Sequence, residues 1–233
     1  MAAGDCLVIA VDLGTTYSAI AYSWRGKQYT VLYPANGFEH FVPQVKSQIA
    51  HTGKDYITGS DVDDSIRSGQ VSEESRITLF KLGLDKSDVT AEIRATLSKQ
   101  IAKLPPAKFD EQDESWRKPV LEDLIAIFLK LLYQKAVEVI KKTEGFHDTV
   151  IESAKCVIGV PPCWPLQSTQ AMVRAAEKAG ISNTQVTTEV EAVVALLVRE
   201  TNEETLSGPV LVYDVGGGTT VRRCIPKINP LYC

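Results

Sequence analysis

Two glycine-containing turns, each placed after an apolar run and an acidic residue, have the clearest capacity for chemistry in this sequence. The first reads D-L-G-T-T-Y over residues 12–17 and contains Asp12, Gly14, Thr15, Thr16 and Tyr17. Backbone N–H groups and threonine hydroxyls in such a turn bind phosphate oxygens, and the neighbouring carboxylate holds a hydrated Mg²⁺. Taken alone, these residue types are equally typical of a plain hairpin turn.

The second turn reads D-V-G-G-G-T-T over residues 214–220 and contains Asp214, Gly216, Gly217, Gly218 and Thr219. Adjacent glycines cost backbone entropy and pack nothing, which indicates either close approach of the backbone to a ligand or a simple loop. The two turns repeat one construction about 200 residues apart, as two clamps on one polyphosphate require. We therefore favour a paired phosphate site over coincidence.

A third candidate is Glu189, in T-T-E-V-E-A, where a predicted strand gives way to a predicted helix. A carboxylate at that position is either a helix N-terminal charge or a ligand of a reacting or metal-bound water. Composition alone favours the helix-terminal role.

The elements that must position these residues alternate between strands and helices. Residues 6–33 contain three β-rich runs separated by short turns, which predicts a three-stranded meander. Apolar residues recur every three or four positions over 119–142, which predicts a buried helix with Pro119 in its first turn and Gly145 after its end. Strands over 155–160, 185–188 and 209–214 and helices over 165–180 and 189–200 are predicted to follow.

Residues 34–83 show no sustained periodicity, so we interpret them as an insertion with short strands near 42–49 and 56–58. Residues 87–103 have the composition of a helix, and 104–116 form a polar connector that contains prolines.

Composition and charge exclude several classes of protein. The chain has 233 residues, is 44% hydrophobic and carries a net charge of −4, so it has no overall basic field to attract nucleic acid or an anionic membrane. Its five cysteines lack the spacing of a zinc site or a disulfide framework. Neither a signal peptide nor a membrane span is evident, and we expect a soluble protein of the cytoplasm or nucleus.

Five segments together resemble the ATPase domain of the heat-shock protein 70 family. They are D-L-G-T-T-Y-S, V-P-P-C-W, A-A-E-K-A-G-I, T-E-V-E-A and D-V-G-G-G-T, and the resemblance extends from residue 5 to about residue 220. The form E-V-E-A stands where common chaperones have E-P-T-A, which is closer to a divergent branch that often lacks a standard peptide-binding domain. The resemblance implies an α/β protein with the actin-like ATPase (ribonuclease H-like) fold, in which two lobes close on ATP or ADP with Mg²⁺.

The resemblance also implies roles for individual residues. Asp12 and Asp214 would hold the Mg²⁺, Glu189 would position the attacking water, and Lys81 in L-F-K-L-G-L would match the lysine that orients the γ-phosphate. Pro161 would match the proline that links nucleotide state to the rest of the molecule. The phosphates would contact the remaining turn residues, which are Gly14, Thr15, Thr16, Tyr17, Gly216, Gly217, Gly218 and Thr219.

By the same resemblance, residues 1–205 would form the first lobe, with a core of 1–34 and 117–205 and an inserted subdomain of 35–116. Residues 206–233 would begin a truncated second lobe, whose tail diverges from about residue 221. Val221 stands where the family has an acid, and Pro226 and Pro230 cannot support a central strand, so we expect a compromised return strand and an exposed apolar strand over 210–213.

Three functions remain open from the sequence. The first is a Mg-ATP-binding fragment of a chaperone-type ATPase, for which the resemblance alone implies co-chaperone or client partners. The second is a phosphotransferase of the same fold that resembles sugar kinases and uses similar D-x-G-x-T turns. The third is a fragment without enzymatic activity that acts as an interaction module. Whether this chain hydrolyses ATP is left open.

Overall fold

A computed structural model of the chain describes residues 6–35, 40–109, 116–200, 208–216 and 220–225. The strands are β1 (Val8–Asp12), β2 (Tyr17–Trp24), β3 (Lys27–Thr30), β4 (Tyr33–Ala35), β5 (His40–Val42), β6 (Val45–Lys46), β7 (Gln48–His51), β8 (Tyr56–Thr58), β9 (Ile77–Thr78), β10 (Lys155–Val160), β11 (Thr184–Thr188), β12 (Val210–Val215) and β13 (Thr220–Ile225). The α-helices are α1 (Ser60–Arg67), α2 (Ala91–Ala102), α3 (Leu121–Glu144), α4 (Asp148–Glu152), α5 (Leu166–Lys178) and α6 (Glu189–Glu200). Short 3₁₀ helices span Glu73–Ser75, Phe80–Leu84 and Asp88–Thr90.

A mixed sheet with the strand order β3-β2-β1-β10-β11 forms the centre of the molecule. Strands β1, β10 and β11 are parallel, whereas β2 and β3 continue antiparallel from β1. This arrangement confirms the predicted meander and the α/β alternation after it. Strands β1 and β10 bury alternate residues on one face of the sheet, and Ile9, Val11 and Ile158 on that face are almost inaccessible to solvent.

Helices α3 and α5 pack against the sheet and against each other. Helix α3 buries the predicted apolar stripe, which includes Leu124, Phe128 and Leu132. It ends at Gly145, whose φ of 69° lies in the left-handed region that glycine adopts without strain. Helix α5 approaches closely because it presents the small side chains of Ala175 and Ala176.

The start of α3 differs from the prediction, because Pro119 lies outside the helix and Val120 is its N-cap residue. The buried Asp123 carboxylate accepts the Val120 N–H at 2.8 Å, which satisfies one of the helix's unpaired donors. It also accepts hydrogen bonds from Arg117 at 2.8 Å and from Lys178 of α5 at 3.0 Å. Asp123 therefore connects helix α3 to the segment before it and to helix α5 through hydrogen bonds.

Between the meander and α3, the structure places β7, β8 and β9 in a small antiparallel sheet. Strands in the 42–49 and 56–58 regions were predicted, and they correspond to β6, β7 and β8. The helix-forming stretch 87–103 contains α2. Helix α1 and the 3₁₀ helix Phe80–Leu84 were not predicted, and the second of these carries Lys81.

The predicted failure of the return strand is wrong. Strand β13 pairs antiparallel with β12 along its whole length, from Val215↔Thr220 to Val210↔Ile225. Val221 occupies an ordinary position opposite Asp214, and the strand is complete before Pro226. Strand β12 is therefore not orphaned: Val212 is buried and clusters with Val190 and Val194 of α6. The opposite face of β12 exposes Leu211, Tyr213 and Val215.

Candidate active site

The carboxyl ends of three parallel strands bring several of the predicted residues to one edge of the sheet. Asp12 is paired with Gly159 at the end of β1, and Val160 is paired with Thr188 at the ends of β10 and β11. Pro161 and Glu189 directly follow these strands, so they lie at the same edge as the exposed Asp12. Crevices outside the carboxyl ends of parallel strands are the usual ligand sites of α/β sheets.

The first glycine turn connects β1 to β2 at this edge. Gly14 is required there, because a Cβ at this position would lie 1.9 Å from the carbonyl oxygen of Tyr17. The turn presents Thr16 and Tyr17 to solvent, whereas Thr15 is buried. It is therefore a tight turn that any larger residue at position 14 would force open.

Two buried serines, Ser47 and Ser18, stabilise this turn through hydrogen bonds. Ser47, which links β6 to β7, donates its hydroxyl to the Gly14 carbonyl oxygen at 2.8 Å and its N–H to the Thr16 carbonyl oxygen at 2.8 Å. Its Oγ lies 2.8 Å from the Oγ of Ser18. Ser47 is absent from the residues that the sequence predicts for the site, because an isolated serine in an irregular segment carries no local signal of a contact 33 residues away.

Lys81 and Glu189 form an ion pair, with 2.7 Å between Lys81 Nζ and Glu189 Oε1. The side chains are only 4% and 18% exposed, so both charges are largely removed from water and compensate each other. The Lys81 ammonium also lies 6.0 Å from the centre of the Trp164 ring. Lys81 lies in the 3₁₀ helix Phe80–Leu84. Leu79, the residue before that helix, adopts a φ of 57°, which is rare for a bulky side chain.

Glu189 is not the capping residue of α6, although composition favoured that role. Thr188 and Glu191 cap the helix instead: the Glu191 carboxylate accepts the Thr188 N–H at 2.9 Å, and the Thr188 hydroxyl accepts the Glu191 N–H at 3.1 Å. The Thr188 N–H and hydroxyl hold the pKa of Glu191 below its usual value. Because the cap is complete without Glu189, this carboxylate is available to pair with Lys81.

A cavity of about 620 Å³ opens beside the turn, with Tyr17 in its wall and α1 on its far side. Lys46, Asp63 and Arg67 also line it, together with the buried Tyr33. This volume is within the range of small-molecule sites. The turn therefore borders an open space large enough to admit part of a ligand.

Only part of the second turn lies within the described residues. Asp214 is described as a backbone position of β12, and Gly216 follows that strand. Gly217, Gly218 and Thr219 lie outside the described residues. In the described parts of the chain, no three His, Cys, Asp or Glu side chains are grouped to hold a metal ion. One or two carboxylates suffice for a Mg²⁺ that keeps water and phosphate ligands, so the exposed Asp12 fits such an ion.

The family model described as Hsp70 protein matches residues 8–223, from the first strand of the sheet to β13. The chain belongs to the Hsp70 family. Its mixed sheet flanked by helices is a lobe of the actin-like ATPase fold, and its domain is of the nucleotide-binding ATPase type. Hsp70 domains depend on nucleotide and Mg²⁺ in general. A comparison with curated proteins found no match.

Both glycine turns fall within the matched range of the Hsp70 model, as do Lys81, Pro161 and Glu189. Among the helices of the described residues, none has the length and apolar character needed to cross a membrane. The geometry thus adds two features to the family assignment, the Lys81–Glu189 pair and the serine contacts behind the first turn.

Proposed function

We propose that the sheet edge around Asp12 binds the phosphates of ATP or ADP together with Mg²⁺, as the phosphate site of a chaperone-type Hsp70 ATPase. The observation that carries this proposal is the position of the buried Lys81–Glu189 pair on the same sheet edge as the glycine turn. Removing a lysine and a glutamate from water costs desolvation, and such charged pairs in a cleft are concentrated at functional sites.

The proposed roles follow from the chemistry of each group. The N–H groups of the turn 14–17 and the exposed Thr16 hydroxyl donate hydrogen bonds to phosphate oxygens. Asp12 would hold the hydrated Mg²⁺, and Asp214, Gly216, Gly217, Gly218 and Thr219 of the second turn would supply its further contacts to the ion and the phosphates. A bound Mg²⁺ would neutralise charge on the phosphate oxygens.

Lys81 and Glu189 have complementary roles in this proposal. The ammonium of Lys81 donates hydrogen bonds to the terminal phosphate, and the Glu189 carboxylate orients a water and accepts its proton. Because the two side chains lie 2.7 Å apart, a phosphate that draws Lys81 away would free Glu189 for the water. Without a bound phosphate, the two groups that hydrolysis would use are therefore paired with each other.

Calorimetric titration of the 233-residue protein with Mg-ADP tests the proposal. The Asp12→Asn variant removes the proposed Mg²⁺ ligand while keeping side-chain size, and Asp148→Asn, an exposed aspartate in α4, is the matched control. We expect Asp12→Asn to weaken Mg-ADP binding at least about tenfold, and Asp148→Asn to leave it unchanged. Equal binding by wild type and Asp12→Asn, or no binding by the wild type, would contradict the proposal.

A further inference from the structure

Ser47 contacts both ends of the turn that the proposed function assigns to phosphate. Its hydroxyl reaches the Gly14 carbonyl oxygen and its N–H reaches the Thr16 carbonyl oxygen, both at 2.8 Å. Ser47 is 3% exposed, so its own donor groups are shielded from water. A single residue therefore bridges the two ends of the turn with two hydrogen bonds.

The direction of the hydrogen bonds in this cluster is determined by counting protons. A serine hydroxyl has one hydrogen, and Ser47 donates it to the Gly14 carbonyl oxygen, which can only accept. In the contact between the two hydroxyls, Ser18 is therefore the donor and Ser47 the acceptor. Ser18 is 1% exposed, so the chain Ser18→Ser47→Gly14 begins at two buried hydroxyls and ends at the half-buried Gly14.

The strands beside Ser47 are themselves held in place. Lys46 pairs with Tyr17 in the sheet register and its ammonium lies 2.9 Å from Asp63 of α1. Gln48 donates its side-chain amide to the Gly59 carbonyl oxygen at 2.7 Å. Because both neighbours are anchored to the region around α1, Ser47 has little freedom to move relative to it.

We propose that Ser47 is a positioning residue that holds the phosphate turn in its binding conformation and connects it to the region around β7 and α1. This inference rests on the proposed function for its ligand, the phosphates of a nucleotide. Because Ser47 binds the carbonyl oxygens of Gly14 and Thr16, the backbone of the turn cannot rotate at these two positions without breaking a hydrogen bond. Loss of the Ser47 hydroxyl leaves the Gly14 carbonyl and the Ser18 hydroxyl without their buried partner, so the turn loosens.

Amide hydrogen exchange of residues 14–18 in the nucleotide-free protein tests the positioning role independently of any ligand. We expect Ser47→Ala to accelerate exchange there about tenfold and Ser18→Ala to accelerate it less, because Ser18→Ala keeps the bond to Gly14. Tyr22→Phe is the control: it also removes one hydroxyl from a nearly buried residue of β2, where Tyr22 Oη lies 2.7 Å from Glu144 Oε1. Exchange in Ser47→Ala no faster than in Tyr22→Phe would overturn the proposal.

Titration with pyrophosphate and Mg-ADP then separates positioning from general stability. We expect Ser47→Ala to bind both at least about fivefold more weakly than Tyr22→Phe when the two variants are compared at equal fractions folded. If wild-type protein binds neither probe, the proposed function fails and the exchange data still decide the role of Ser47. If Ser47→Ala does not fold, Ser47→Cys, whose thiol is a weaker donor, takes its place: faster exchange than in wild type supports the proposal, and equal exchange overturns it.

Discussion

Lys81 and Glu189 lie 108 residues apart in the chain, yet their charged atoms are 2.7 Å apart at the carboxyl edge of the sheet. Lys81 comes from the 3₁₀ helix that follows β9, whereas Glu189 begins α6 directly after β11. The pair therefore joins the region between β3 and α3 to the last parallel strand of the sheet.

Substitution of one member of this pair should lower the free energy of unfolding more than substitution of both. Glu189→Leu leaves the Lys81 ammonium buried without its partner, and we expect it to lower the free energy of unfolding by about 3 kcal/mol. The single variant Lys81→Met completes the cycle. The double variant Lys81→Met/Glu189→Leu replaces both charges with apolar groups and should lose less than either single variant. Urea unfolding of the four proteins measures the coupling, and additive losses would show that the ion pair contributes nothing.

Substitution of Gly14 should disturb both the turn and phosphate binding. A Cβ in Gly14→Ala would lie 1.9 Å from the Tyr17 carbonyl oxygen, so the turn has to open. We expect a loss of about 2 kcal/mol in unfolding free energy and no measurable Mg-ADP binding. Gly208→Ala is the control, because a Cβ there meets no atom of the described residues within 4 Å. Calorimetry and urea unfolding check both, and normal binding by Gly14→Ala would refute this prediction.

Asp123 should make the protein sensitive to acid. Burial alone would raise the pKa of this carboxyl, but hydrogen bonds from Arg117, the Val120 N–H and Lys178 outweigh it and lower the pKa. A lowered folded-state pKa gives stability that is complete above the unfolded value of about 3.9 and is lost as pH falls through the folded-state value.

We therefore expect Asp123→Asn to lower the unfolding free energy at pH 7 by about 3 kcal/mol. The difference from wild type should shrink as the pH falls from 5 toward 2, because wild type loses the contribution that the variant already lacks. Urea unfolding at a series of pH values measures this difference. A difference that stays constant or grows with acidification would contradict the assignment.

The outer face of β12 should promote association without contributing to stability. Leu211, Tyr213 and Val215 are 57%, 62% and 66% exposed, whereas Val212 between them is buried against α6. We expect the double variant Leu211→Thr/Tyr213→Thr to bind less of a fluorescent dye that detects exposed apolar surface and to self-associate less. Its unfolding free energy should change by less than about 0.5 kcal/mol. Val212→Thr on the buried face is the control and should destabilise the protein. Sedimentation velocity and urea unfolding distinguish the two faces.

Periodic elements were predictable from the sequence because their pattern reflects burial. The stripe of α3 and the strand β10 were located well, since each buries residues at regular spacing. The start of α3 was misplaced because the cap depends on the contact between Asp123 and the Val120 N–H, which competes with the preference of Pro119 for a first turn. Helix α1 was missed because only Val62 of its eight residues is fully buried, so its apolar pattern is weak.

The candidate site was predictable only in part. The glycine turn was visible because glycine and hydroxyl residues are local requirements of its backbone. The proximity of Lys81 to Glu189, by contrast, arises from packing between elements far apart in sequence. Ser47 had no signal at all, because its two contacts depend on where β6 pairs with β2.

The pairing of β1 with β10 also determines the order in which the molecule can be assembled during synthesis. Strand β1 receives its parallel partner only when residues 155–160 have left the ribosome, so until then the amino-terminal hairpins carry an open edge. The partner of Lys81, Glu189, is synthesised later than β10. Nascent chains that stall between these points expose an unpaired strand and an uncompensated lysine, and they are the species that holding chaperones should bind most strongly.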